Sequence, residues 1–67
     1  MEDNIFAQNI RAERARLGMT QEQLAAETGL NPNTIMKYER GKTLPLIDKV
    51  PALAKALHTT PNALCGW

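Results

Sequence analysis

Thr20-Gln21-Glu22-Gln23-Leu24-Ala25-Ala26-Glu27-Thr28-Gly29-Leu30-Asn31-Pro32-Asn33-Thr34-Ile35-Met36-Lys37-Tyr38-Glu39-Arg40-Gly41 spells two short helices joined by a tight turn. Thr20 and Gln23 fit a capping box, in which the hydroxyl and the amide reciprocally satisfy free N–H groups at a helix start. Met19 before the cap and Leu24 after it can close a hydrophobic staple. The same grammar repeats at Asn31, an N-cap, followed by Pro32, whose missing N–H does no harm in the first helical position. Leu30 can staple to Ile35. Gly29 falls where the first of these helices must end in a left-handed conformation, which glycine adopts at little cost, and Gly41 is expected to end the second in the same way.

Two helices joined so tightly are the pattern of a helix-turn-helix, whose second helix enters the major groove of DNA. On a 3.6-residue repeat the helix predicted from Pro32 to Arg40 places Ile35, Tyr38 and Glu39 on one side. Asn33, Met36, Lys37 and Arg40 fall largely on the other, giving an outer side that is polar with a cationic end. An ordinary helix pair with a solvated outer face has the same capping pattern. The caps alone leave both readings open.

A chain of 67 residues has room for one domain, here residues 1–67 with the helix-turn-helix at 20–41. With 43% hydrophobic residues it is globular, not disordered. The net charge of +1 recommends nucleic acid only weakly, but its distribution matters more. Between Asn31 and Thr43, Lys37, Arg40 and Lys42 stand against Glu39 alone. A single cysteine, Cys65, excludes a domain framed by internal disulfides. Neither a signal peptide nor an apolar run of membrane-spanning length is visible, so no membrane association and a cytoplasmic setting are expected.

Outside the central pair, Asp3 or Asn4 can cap a first helix running to about Leu17 and ended by Gly18. Its apolar side is Phe6, Ile10 and Leu17, and Arg14 falls on the same stripe. A buried arginine needs an acidic partner. Glu39, one turn beyond Ile35 on the inward side of its helix, is the natural one. In the alternative reading the guanidinium snorkels to water from the core edge. Between Gln21 and Thr28, Leu24 and Ala25 face the core, with Glu22 and Glu27 outside. The segment Lys42 to Ile47 reads as an extended loop with apolar anchors at Leu44 and Ile47, since Pro45 disfavours a helical Leu44. Asp48 is expected to cap a fourth helix with Pro51 in its first turn and Val50, Leu53, Ala54 and Leu57 on its buried side. Thr60-Pro61 repeats the cap-then-proline start for a short fifth helix. The fold class is therefore all-α, with five helices and no strand.

Arg14 before Leu17-Gly18, Thr20 to Ala25, Gly29, Ile35, Tyr38 to Gly41, Pro45 and Leu53 to Leu57 together resemble the lambdoid phage repressor and Cro type of helix-turn-helix domain, also called the xenobiotic-response-element type. The resemblance spans Ile10 to Leu64. It implies a compact five-helix lambda-repressor-like fold, bacterial or phage-encoded, binding double-stranded operator DNA as a two-fold homodimer on a palindromic site. It further implies that Arg14 and Glu39 form the inter-helix salt bridge. Pro32, Asn33, Met36 and Lys37 are implied as base-contacting residues, and Gln21, Arg40 and Lys42 as phosphate-contacting ones. Asn33 suits adenine, Lys37 suits guanine O6 and N7, and Met36 or Pro32 suits a thymine methyl. The chain departs from the pattern at Pro32, where a hydrogen-bonding residue is common, and in the apolar loop Thr43 to Ile47, where some relatives are basic. Fewer phosphate contacts make for a shallower salt dependence.

No enzyme is expected. His58 and Cys65 lack a carboxylate neighbour or an oxyanion motif, and no zinc spacing, phosphate-binding glycine loop, cofactor site or small-molecule site is visible. The alternative to a DNA-binding repressor is a protein-interaction module on the same fold, antitoxin-like or coactivator-like, with Met36 beside the apolar loop as its adhesive patch. Leu64, Cys65 and Trp67 are the candidate dimer contact. Trp67 either anchors that contact from an exposed position or folds back over the core.

Overall fold

Among the described residues, four of the five α-helices start on a side-chain cap. The computed structural model describes residues 4–67. In α1, Ile5–Leu17, the side chain of the N-cap Asn4 accepts from the Ala7 N–H at 2.8 Å. Asp3, the other expected cap, lies outside the described residues. At the start of α2, Gln21–Thr28, Gln23 N–H donates to Thr20 Oγ1 at 3.0 Å and Thr20 N–H donates to Gln23 Oε1 at 2.8 Å, which completes the capping box. In α3, Pro32–Glu39, Asn31 accepts from Asn33 N–H at 2.8 Å, with Pro32 in the first turn. Gly29 takes φ 72° between these two helices, and Leu30 N–H bonds back to Ala25 C=O at 3.0 Å. That left-handed step is what lets α3 start two residues after the turn.

The entry to the fourth helix differs from expectation. A 3-10 turn over Ile47–Lys49 comes first, then α4 over Val50–Ala56. Asp48 sits inside that turn instead of before a helix, and α4 has no side-chain cap. Pro51 still falls in the first turn of α4. The expected apolar anchors Leu44 and Ile47 are also not anchors: they are 63% and 75% exposed, and Leu46 is 72% exposed. Val50 is the first buried residue after the loop, because the 3-10 turn carries the preceding side chains outward. Thr60 caps α5, Pro61–Cys65, accepting from Ala63 N–H at 3.1 Å. No strand occurs among the described residues.

All five helices contribute to one apolar centre, with Ile10, Leu24, Ile35, Leu53, Leu57 and Leu64 fully buried. Leu17, Met19 and Leu30 pack against it from the edge, as the two staples require. Phe6 and Tyr38 meet edge to face, their ring centres 5.9 Å apart at 79°. The outer residues of α1 do more than face water. Asn9 Nδ2 donates to the carbonyls of Ala63 and Leu64 at 3.1 and 3.0 Å, and Arg16 Nη2 donates to that of Leu57 at 3.1 Å. These bonds supply partners to the Leu64 and Leu57 carbonyls at the ends of α5 and α4, while the Ala63 carbonyl also accepts from Gly66 N–H at 3.3 Å.

His58 closes α4 with φ 56°, a left-handed conformation in a residue with a side chain. That conformation costs a side chain ~1–2 kcal/mol, while glycine brings back ~0.5–1 kcal/mol of unfolded-state freedom. His58→Gly is therefore expected to raise the urea midpoint by an amount equivalent to roughly 0.5–1 kcal/mol. Burial, helped by the negative charge of Asp48, holds the Tyr38 phenol above its ordinary range. The folded state then binds this proton more tightly than the unfolded chain does. Its contribution is full below the unfolded value near pH 10 and is lost as pH rises through the higher folded value. Urea midpoints compared near pH 8 and near pH 11 should fall less for Tyr38→Phe than for the parent chain.

Candidate nucleic-acid interface

The surface is set from its buried side. Glu39 is 4% exposed, so its carboxylate must be matched inside the protein. Arg14 matches it with two bonds, Nε to Oε2 at 2.6 Å and Nη2 to Oε1 at 3.0 Å. Gln21 Nε2 adds a third to Oε1 at 3.1 Å, and Arg11 Nη1 donates to the Glu39 backbone carbonyl. The remaining arm of Arg14 donates to Met19 C=O at 2.8 Å. Arg14 therefore does not snorkel free, and the hydrogen bond it donates to Glu39 raises its pKa above the ordinary arginine value.

With Ile35, Tyr38 and Glu39 turned inward, the rest of α3 has one way to face. Pro32, Asn33 and Lys37 are exposed and Met36 is half-buried. Arg40 and Lys42, just past the helix, are exposed as well. The Asn33 backbone N–H is taken by the Asn31 cap, and the Asn33 side-chain amide has no partner among the described residues. Lys37, Arg40 and Lys42 have no carboxylate partner among the described residues. The lone acid of this stretch is the buried, neutralised Glu39, so the outward charge is wholly positive. Gln21, half-buried at the start of α2, has its amide drawn to Glu39 yet remains open to solvent.

The profile of the helix-turn-helix family HTH_3 matches residues 10–64. This chain belongs to that family. It is 35% identical over 54 residues to the cryptic phage CTXphi transcriptional repressor RstR of Vibrio cholerae, covering 81% of this chain and 48% of RstR. It thus spans about half the length of that relative. An uncharacterized HTH-type transcriptional regulator of Methanothermobacter thermautotrophicus is 40% identical over 48 residues, 72% of this chain and 70% of that protein. Among solved structures, the P22 c2 repressor in complex with synthetic operator 9T superposes with a TM-score of 0.86 at 32% identity. The match covers 92% of this chain and 94% of that one. The all-α, five-helix lambda-repressor-like fold is thus the family's own.

At the candidate dimer contact, the structure corrects one residue. Leu64 is fully buried, because α5 turns it into the centre of the core, and it has no surface to offer. Cys65 is half-buried, and Trp67 is 82% exposed and does not cover the core. Asn9, Arg11 and Arg16 were not singled out from the sequence. The available signal was that α1 carries three arginines, side chains that can only donate, on a helix surrounded by the carbonyl ends of others.

Removing Arg14 leaves the Glu39 carboxylate buried with only Gln21. Breaking a buried pair costs ~3–5 kcal/mol, and Arg14→Ala should fall at about the low end because the arginine is itself partly solvated. Thermal unfolding followed by circular dichroism checks this, and an unchanged midpoint would show that the pair contributes nothing to stability.

Proposed function

We propose that this protein is a sequence-specific double-stranded DNA-binding transcriptional repressor, with α3 in the major groove. One observation carries the reading. The only acid of the Asn31 to Thr43 stretch is buried and paired, while three cations and an unpartnered amide project outward. In this reading Pro32, Asn33, Met36 and Lys37 meet base edges, whereas Gln21, Arg40 and Lys42 hold phosphates. Repression follows from occlusion of the site. The protein is not an enzyme in this reading, since nothing in the interface calls for chemistry on the DNA.

The exposed Leu44, Leu46, Ile47 and Trp67 support a homodimer on a palindromic operator. A groove lined by Lys37 and Lys49 together with Leu44 and Leu46 runs from α3 to this apolar loop. A second copy packed against the Leu44 to Ile47 end of that groove, leaving Lys37 to the DNA, lies beside the first on the same duplex. With Leu64 withdrawn into the core, Cys65 and Trp67 are the residues at the chain's end that can join such a contact.

Selection of sites from random duplex DNA at fixed salt tests this proposal. A two-fold symmetric motif with half-sites about one helical turn apart is the expected result. Lys37→Ala should relax preference at one base position, and Lys42→Ala should reduce the slope of log affinity against log salt by about 0.9. Gln21→Ala should weaken all sequences alike. No enrichment of any motif would instead favour a protein-interaction module working through the Leu44 to Ile47 loop.

A further inference from the structure

Gln21 opens α2 and Glu39 closes α3, and a hydrogen bond of 3.1 Å from Gln21 Nε2 to Glu39 Oε1 joins them. The carboxylate itself cannot turn, because Arg14 holds both of its oxygens, at 2.6 and 3.0 Å, and its side chain is only 5% exposed. A primary amide nitrogen carries two hydrogens. One is used on Glu39, while the second and the Gln21 side-chain carbonyl oxygen have no partner among the described residues. Gln21 is half-buried, so that second hydrogen remains within reach of a ligand. A glutamine side chain that must be ordered on binding loses rotamer freedom, and one already held has less to lose.

We propose that Glu39 is a positioning residue for DNA, fixing the Gln21 amide in advance so that its free N–H meets a backbone phosphate. This rests on the DNA-binding reading above. It gives the buried carboxylate a part in recognition although it touches no DNA. It also predicts an effect of unusual sign. Glu39→Gln removes a negative charge close to the interface, which by long-range electrostatics alone tightens binding to a polyanion. The neutral side chain keeps one accepting oxygen, for which the two Arg14 donors compete with Gln21. Loss of positioning therefore weakens binding.

The experiment is a double-mutant cycle on affinity for the selected duplex, using Gln21→Ala, Glu39→Gln and both together. The folded fraction of each variant is measured by circular dichroism at the assay temperature. Each single change is expected to weaken binding roughly tenfold, the factor for one hydrogen bond to a charged group. The double variant should be no weaker than either. Losses that multiply, or a Glu39→Gln variant that binds as well as or better than the parent, would overturn the role of Glu39. If Glu39→Gln does not fold, side-chain nitrogen-15 relaxation of Gln21 in the parent protein without DNA decides the matter. An ordered amide is expected, and a freely rotating one overturns the proposal. A parent protein that selects no DNA would bring down the DNA-binding reading itself, a result distinct from an additive cycle on a protein that binds.

Discussion

A carboxylate buried to within a few per cent of complete exclusion from water is the constraint on which the architecture depends. Such a group is tolerated only when charge and hydrogen bonds inside the protein replace its hydration. Here Arg14 comes from α1, Gln21 from α2, and Arg11 holds the backbone carbonyl of the same residue. One position of α3 is thus tied to both preceding helices. Ile35 and Tyr38 could pack against the core over a range of rotations about the helix axis, since apolar contact is not directional. The bidentate ion pair narrows that range and so decides which residues of α3 face outward. An apolar replacement of similar volume can equal such a pair in stability. The contribution specific to the pair is direction.

The same economy governs the helix ends. A domain of 67 residues buries a modest share of its surface, and five short helices expose many terminal carbonyls for their length. N-terminal N–H groups are met locally by Asn4, Thr20, Asn31 and Thr60. Carbonyls at the opposite ends are met across the fold from α1, by Asn9 at α5, Arg11 at α3 and Arg16 at α4. Cations also suit the negative end of a helix dipole. α1 thereby acts as a donor strip that fastens three other helices, with its apolar stripe under the same helix filling the core.

The features legible in the sequence were those that obey local rules. Caps depend on residues two or three apart, and the inward side of α3 depends on a period of 3.6, so the capped starts of α1, α2, α3 and α5, the buried Ile35 and Tyr38, and the Arg14 to Glu39 pairing could be reasoned from spacing. What was not legible depends on contacts far apart in the chain. Asn9 reaches a carbonyl 55 residues away, and nothing near Asn9 in the sequence marks it. Leu64 looked like a terminal apolar residue open to a partner, but a five-residue helix sets it into the centre of the core. The loop failed for the opposite reason. Leu44 and Ile47 carry the signature of burial, yet the 3-10 turn spends the available length before α4 begins, and Val50 alone reaches the core.

That exposed loop changes how the proposed interface must work. Three large aliphatic side chains left mostly in water cost solubility and add little to the stability of a lone copy. In the proposed interface a single copy holds DNA through few cations, so low and only moderately salt-dependent affinity for one half-site is expected. Pairing of two copies through the apolar loop, as proposed, converts the second half-site into an intramolecular target, which multiplies affinity without any new DNA contact. Discrimination sharpens for the same reason, since a site lacking either half forfeits the linkage. In this reading the chain exchanges charge-based grip, which every sequence offers equally, for cooperative grip, which only a correctly spaced pair of half-sites can supply.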